Sequence, residues 1–174
     1  MKYAGIIKND FAAAPGVCVS FFTQGCPHKC KGCHNPETWN FDGGREFTPA
    51  VIQSIQDALV ANGVERSLCI MGGEPLCEEN ISLTMQIVDT FKEKFQNLKI
   101  YIWTGYTIEE LEAMASPVNR ILSQCEALID GRYIESERDT TLLMRGSRNQ
   151  RIIWLKDTEP TIEGAVKWSD IKRR

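Results

Sequence analysis

Three cysteines lie within one short loop of this chain, at Cys26, Cys30 and Cys33. Their C-x3-C-x2-C spacing has no fourth cysteine close by. Iron–sulfur clusters are held by cysteine thiolates, and a four-iron cubane normally takes four of them. Three thiolates leave one iron without a protein ligand, and an open metal position binds substrate in catalytic metal sites. The loop therefore predicts a reactive [4Fe–4S] cluster rather than an electron-transfer cluster.

A zinc site is the competing interpretation of this cysteine loop, which we define as residues 26–33. Cys3His is a common set of structural zinc ligands, and His28 and His34 are both close to the cysteines. Neither histidine has the usual ligand-pair spacing, and the next cysteine, Cys69, belongs to an apolar, strand-like run. The spacing favours the cluster. A zinc-binding interaction module without catalysis stays open as the alternative.

Composition limits the classes of function open to this chain. Its 174 residues fit a single domain over 1–174, with 43% hydrophobic and 25% charged residues. A net charge of −3 gives no electrostatic reason to expect nucleic acid or an acidic membrane as a partner. No apolar run reaches the length of a membrane span, and no signal peptide is visible. We therefore expect a cytoplasmic protein whose seven cysteines are reduced and available as thiolates.

Short apolar runs alternate with helical patterns along the chain. Helices are predicted from Pro49 to a stop at Gly63, over residues 80–95, and after Thr107, where Glu110 completes a capping box. Strands are predicted at residues 17–22, 67–71, 99–103, 127–129 and 152–155.

This alternation predicts βαβ units and a parallel sheet. About five or six strands are too few to close an eight-stranded barrel. The predicted fold class is therefore α/β, a partial, open (β/α) barrel with a mainly parallel sheet. Each motif of interest falls at the C-terminal end of a predicted strand, which is where such folds place their ligand sites.

Several sequence segments together carry a family resemblance. The cysteine loop after the first predicted strand and Gly-Gly-Glu at 72–74 after the second resemble the radical S-adenosylmethionine (SAM) superfamily. Segments 25–39, 103–106, 130–133 and 145–151 are similar, in order, to the activating proteins of anaerobic ribonucleoside-triphosphate reductases. The nearest rival is an activase of pyruvate formate-lyase or a related glycyl-radical enzyme. Trp-Thr-Gly-Tyr at 103–106 and the Arg-Gly-Ser run that begins at Arg145 speak against it.

The resemblance implies an oxidoreductase with two cofactors. Cys26, Cys30 and Cys33 would hold three irons of a [4Fe–4S] cluster, and the amino and carboxylate groups of SAM would chelate the fourth. An electron from a flavodoxin or ferredoxin-type donor would then cleave SAM to methionine and a 5′-deoxyadenosyl radical. That radical would take a Cα hydrogen from a glycine near the C-terminus of the reductase.

Gly72, Gly73 and Glu74 suit the amino acid end of SAM. The two glycines let the backbone approach a ligand closely, and Glu74 can accept a charge-assisted hydrogen bond from an amino group. Thr104 and Asp130 follow later strands and are candidates to bind the ribose hydroxyls or the carboxylate. Each is equally well explained as a turn residue before a glycine, so both interpretations stay open.

Gly32 departs from the wider superfamily, where the residue before the third cysteine is often aromatic and packs near the adenine. Here the adenine would have to meet the backbone at Gly32 or another side chain, and His34 and Tyr106 are candidates.

Arg145, Arg148 and Arg151 form a basic, loop-like run that we call the arginine segment (residues 145–151). Arginine makes bidentate contacts, so the segment is a candidate for binding the partner reductase or a ligand carboxylate. A solvated loop is the alternative. The remaining cysteines are interpreted as structural, since free cysteine is commonly buried; they are Cys18, Cys69, Cys77 and Cys125.

Overall fold

The computed structural model describes residues 1–114, 116–156 and 162–171. The strands are β1 (Lys2–Asp10), β2 (Val17–Thr23), β3 (Arg45–Glu46), β4 (Arg66–Gly72), β5 (Ile100–Trp103), β6 (Ala127–Asp130), β7 (Arg151–Trp154) and β8 (Ala165–Lys167). The helices are α1 (Pro49–Leu59), α2 (Glu78–Lys94), α3 (Ile108–Ala113), α4 (Ser116–Ser123) and α5 (Trp168–Ile171).

All eight strands form one mixed, mainly parallel sheet in the order β3-β1-β2-β4-β5-β6-β7-β8. Neighbours from β2 through β4 and β5 to β6 run parallel. Strand β1 is antiparallel to β2, and β7 is antiparallel to β6. The predicted α/β class is confirmed, and the predicted count of five or six strands is wrong. Strands β3 and β8 have only two and three residues, too few for a hydrophobic pattern to show.

Side chains of the central strands alternate between two cores, as the period of a strand requires. Phe21, Ile70 and Ile102 belong to the larger core, which includes the buried apolar residues of α1 and α2. Cys69 and Tyr101 point the other way, into a smaller cluster. The sheet therefore buries both faces, which explains why its central strands read as nearly continuous apolar runs.

The helix boundaries follow local chemistry. Helix α3 begins after Thr107, whose hydroxyl accepts from the Glu110 N–H while the Glu110 carboxylate accepts from the Thr107 N–H. The predicted capping box is thereby confirmed. Helix α1 ends at Leu59, earlier than the predicted stop, and a short 3₁₀ turn over Ala61–Gly63 follows it.

The C-terminal ends of β2, β4, β5 and β6 share one edge of the sheet because these strands run parallel. The cysteine loop, the Gly-Gly-Glu run, Thr104 and Asp130 all occur at this edge, where the sequence predicted them together. No helix in the described ranges is long and apolar enough to cross a bilayer. The single domain over 1–174 stays a prediction.

Candidate functional site

Each cysteine of the loop is a free, partly exposed thiol with a backbone N–H aimed at its sulfur. The amides of His28 and Lys29 donate to Cys26, and the amide of Tyr133 donates to Cys30. The Asn35 N–H lies 3.4 Å from the sulfur of Cys33. Hydrogen bonds to thiolate sulfurs are one of the means by which proteins set the potential of an iron–sulfur cluster. The donor set therefore fits a cluster.

Burial raises the pKa of the Cys26 and Cys30 thiols, and it outweighs the N–H groups that would lower those pKa values. In the metal-free chain both groups are therefore protonated at neutral pH. Metal binding requires thiolates, so loading of the site must release protons.

A cubane and a structural zinc site make different demands on the cysteine loop, and the zinc site is the more convergent of the two. Such a site surrounds one point with four ligands. Within the described part of the chain, no three His, Cys, Asp or Glu side chains converge in a way that could hold one metal ion. In a cubane each cysteine binds a different iron, so the three thiols need not meet at one point.

The start of the cysteine loop packs directly on the Gly-Gly-Glu run. The amide of Glu74 donates to the carbonyl oxygen of Gly25 at 2.8 Å. A Cβ on Gly73 would lie 2.2 Å from that same oxygen, so glycine is required for the approach. The buried Asn80 amide donates to the carbonyls of both Gly25 and Glu74. These contacts fix the loop to the end of β4.

Glu74 is only 1% exposed, and its carboxylate accepts four hydrogen bonds. Its Oε1 accepts from the Leu76 amide at 3.0 Å and from the Thr104 hydroxyl at 2.7 Å. Its Oε2 accepts from the Gly105 amide at 2.7 Å and pairs with His28 Nε2 at 2.9 Å. We call this set the Glu74 network. A carboxylate has about four lone-pair positions, so these protein groups occupy its full capacity to accept hydrogen bonds.

His28 is the member of the Glu74 network that comes from the cysteine loop. Its side chain is 6% exposed. The ring packs edge-on against Tyr106, with 4.5 Å between ring centroids. A Cβ on Gly105 would lie 2.3 Å from the His28 ring, so this glycine makes room for the imidazole. Sequence reasoning weighed His28 only as a zinc ligand, and its contact with Glu74 was missed.

Thr104 and Asp130 are both buried and hydrogen-bonded within the protein. Thr104 donates to Glu74, and its hydroxyl accepts from the Tyr106 amide at 3.2 Å. Asp130 accepts from the Ile108 amide at 2.8 Å and from the Arg151 guanidinium. These partners account for both residues structurally, while contact with a ligand stays a prediction. Gly72 has a φ of +99°, a left-handed conformation that favours glycine.

The three arginines of the arginine segment have different surroundings. Arg151 is held between Asp130 and Glu109, and this pairing lowers the pKa of the Glu109 carboxyl to about 2. Arg148 makes one ion pair, with Asp139 at 3.1 Å, and its side chain is 71% exposed. Among the described residues, Arg145 donates to the backbone carbonyls of Leu143 and Gln150, both at 3.4 Å. Arg145 and Arg148 are thus held by fewer charged partners than Arg151 among the described residues.

Gly32 has a φ of +74° and lies against the segment that follows β6. A Cβ at this position would be 3.2 Å from the Tyr133 ring and 3.0 Å from the Glu135 carboxylate. The Tyr133 ring therefore packs directly against Gly32. His34 is exposed beside the loop. The sequence signal for Tyr133 was its place in segment 130–133, but nothing there indicated contact with Gly32.

The four cysteines outside the loop are all buried, in agreement with their interpretation as structural residues. Burial raises the pKa of Cys125 to about 12, so this thiol stays protonated at neutral pH.

Comparisons with known proteins agree with the donor set. A family model described as a 4Fe-4S single cluster domain matches residues 12–153. The chain is also similar to curated proteins named anaerobic ribonucleoside-triphosphate reductase-activating protein.

The identities are moderate and the coverage is nearly complete. The protein from Vibrio cholerae is 33% identical over 157 residues, covering 87% of this chain and 97% of that protein. The protein from Escherichia coli K12 is 31% identical, covering 90% of this chain and all of that protein. The protein from enterobacteria phage T4 is 35% identical over 152 residues, covering 87% of this chain and 93% of that protein.

Proposed function

We propose a function from the premise that this chain belongs to the family of anaerobic ribonucleoside-triphosphate reductase-activating proteins. The chain is a radical SAM enzyme that generates a glycyl radical on an anaerobic ribonucleoside-triphosphate reductase. The observation that carries this proposal is the loop of three free thiols, each with a backbone N–H directed at its sulfur.

The cysteine loop supplies the ligands for the metal cofactor. Cys26, Cys30 and Cys33 hold three irons of a [4Fe–4S] cluster. When bound, this cluster would supply an open iron and one electron for the reductive cleavage of SAM, the chemistry needed to generate a glycyl radical. The three thiols are partly exposed, which supports access of SAM to the cluster.

Gly72, Gly73 and Glu74 form the wall for the amino acid end of SAM. Because protein donors use the carboxylate of Glu74, an amino group reaches it only where one of those donors gives way. Thr104 and Asp130 contribute to the same wall, and their buried hydrogen bonds support a role in holding it rigid.

Tyr133 joins His34 and Tyr106 as a candidate for contact with the adenine. Its ring borders Gly32, and a cavity of about 350 Å³ is lined by Lys31, Tyr133 and the three residues after it. An aromatic ring beside such a space gives a flat base a stacking surface.

The protein substrate enters at the edge of the sheet that carries the site. We propose that the sheet curves into an open, partial barrel there, and that Arg145 and Arg148 help to bind the reductase. A flavodoxin or ferredoxin-type donor and a cytoplasmic location remain predictions.

Anaerobic reconstitution with iron and sulfide tests the proposal. The loaded protein with a chemical reductant should convert SAM to methionine and 5′-deoxyadenosine. Addition of an anaerobic reductase should give a glycyl-radical signal in electron paramagnetic resonance (EPR). SAM cleavage with a radical on pyruvate formate-lyase, but none on the reductase, would favour the rival activase. A colourless protein that retains zinc after anaerobic purification would contradict both.

A further inference from the structure

We propose that His28 is a positioning residue, which holds the cysteine loop in its ligand geometry through its hydrogen bond to Glu74. The inference rests on the proposed function in one respect, that the loop holds a cluster. The contacts that support the inference are all between residues of the protein.

His28 lies between the first two cysteines of the loop. It lies two residues from Cys26 and two from Cys30. Its backbone N–H donates to the sulfur of Cys26. A fixed imidazole at this point therefore restrains the backbone that carries both thiols.

The His28 ring lies 2.9 Å from a carboxylate whose other donors come from outside the loop. Glu74 receives its other three hydrogen bonds from Leu76, Thr104 and Gly105, at the ends of β4 and β5 rather than in the loop. His28 is thus the residue of the cysteine loop that hydrogen-bonds to the buried Glu74 carboxylate, whose acceptor positions are all occupied by protein groups. Breaking this contact leaves one acceptor position of a buried group unpaired, which is unfavourable inside a protein.

The end of β5 leaves space for the His28 ring. Gly105 has no side chain where the imidazole packs, and Tyr106 meets the ring edge-on at 4.5 Å. The end of β5 is shaped around this histidine. A residue that merely filled space would not need a glycine below it, a ring beside it and a carboxylate 2.9 Å from its Nε2.

The test compares four variants with the unmodified chain. His28→Ala removes the hydrogen bond, and His28→Gln keeps a donor at the position of Nε2. Lys8→Ala removes an exposed charge from β1, outside the cysteine loop. Val88→Ala weakens the core under α2 without touching the loop. It controls for general destabilisation.

The first measurement is hydrogen–deuterium exchange of the metal-free protein, followed in peptides that cover residues 25–34. We expect His28→Ala to speed exchange there by about tenfold, because a hydrogen bond to a charged group is lost. His28→Gln should restore slow exchange, while Lys8→Ala and Val88→Ala should leave exchange in these peptides unchanged. Unchanged exchange in His28→Ala, or no rescue in His28→Gln, overturns the proposal.

The second measurement is cluster loss to an iron chelator after full reconstitution, without SAM. His28→Ala should lose its cluster about tenfold faster and show an altered EPR signal when reduced, and His28→Gln should behave like the unmodified chain. An identical rate and signal in His28→Ala overturns the proposal. Failure of the unmodified chain to bind a cluster at all would instead overturn the proposed function, while the exchange result would still decide the role of His28.

Discussion

The Glu74 network and the arginine segment occupy the same edge of the sheet but differ in how their polar groups are satisfied. Glu74 is 1% exposed, and protein donors from three parts of the chain use its carboxylate. The Arg148 side chain is 71% exposed, and within the described part of the chain its ion-pair partner is Asp139. Buried, saturated networks are rigid and geometrically specific, whereas exposed ion pairs exchange partners at little cost.

On the basis of this difference we propose separate tasks for the two regions. Cofactor chemistry needs thiols and backbone held in fixed positions, and the Glu74 network holds the cysteine loop against the ends of β4 and β5. Docking of a protein substrate needs charges that can leave their present partners. The arginine segment offers them at Arg145 and Arg148, and Arg151 belongs with the rigid region because it is paired with Asp130.

The largest effect on this division of tasks is expected when one thiol of the cysteine loop is removed. We predict that Cys30→Ala abolishes both the cluster and SAM cleavage, because each thiolate ligates its own iron. Cys26→Ala and Cys33→Ala should do the same. Cys125→Ala is the control, since this buried thiol lies outside the loop. Iron and sulfide analysis after anaerobic reconstitution checks the result. Full iron content with full activity in Cys30→Ala would contradict the assignment of Cys30 as a cluster ligand.

The second change acts on the carboxylate itself. We predict that Glu74→Ala still forms a cluster in excess iron and sulfide but binds SAM more weakly, by about 1.5–3 kcal/mol, or roughly ten- to a hundredfold. Equilibrium binding to the reconstituted protein measures this. Glu78→Ala, an exposed glutamate in the first turn of α2, should leave the affinity unchanged. Equal affinities in all three proteins would take Glu74 out of the SAM site.

The sequence was sufficient to predict which motifs lie at the edge of the sheet. The five predicted strands are apolar runs. Four of them, β2, β4, β5 and β6, pair in parallel, so their C-terminal ends lie at the same edge of the sheet. What it could not predict is which groups pair there. His28, Glu74 and Thr104 are far apart in the chain, so their contacts depend on tertiary packing that no local pattern encodes.

The arginine segment shows the same limit. Three arginines at three-residue spacing looked equivalent in sequence. Strand β7 runs antiparallel to β6, and this register sets Arg151 opposite Asp130. Strand direction at the end of a parallel sheet is not readable from hydrophobic periodicity, because both directions share the period of two. The half-exposed β1 was missed because its burial pattern lacks a clear alternation.

A smaller effect sharpens the contrast between Arg151 and Arg148. The Arg151 guanidinium lowers the pKa of Glu109 from 4.5 to about 2. A depressed carboxyl pKa adds stability that is present above pH 4.5 and is lost as the pH falls toward about 2. Because the pair is partly exposed, we expect no more than about 1 kcal/mol. Chemical unfolding at neutral pH and near pH 2.5 should show a larger loss in the unmodified chain than in Glu109→Gln; equal losses would contradict the prediction.

The smallest expected effect concerns recognition of the reductase. Arg148→Ala removes an exposed charge whose ion pair with Asp139 contributes little to stability. We predict that SAM cleavage driven by a chemical reductant is unchanged, because this reaction needs only the cofactor site. The glycyl-radical yield on the reductase should fall by about threefold, since charges at the rim of an interface mainly affect the rate of association. The fall should shrink as salt is added, because salt screens exposed charges. Lys94→Ala, at the end of α2, controls for the loss of one surface charge elsewhere. Equal losses in both reactions would place Arg148 at the cofactor, and no loss in either would favour a solvated loop.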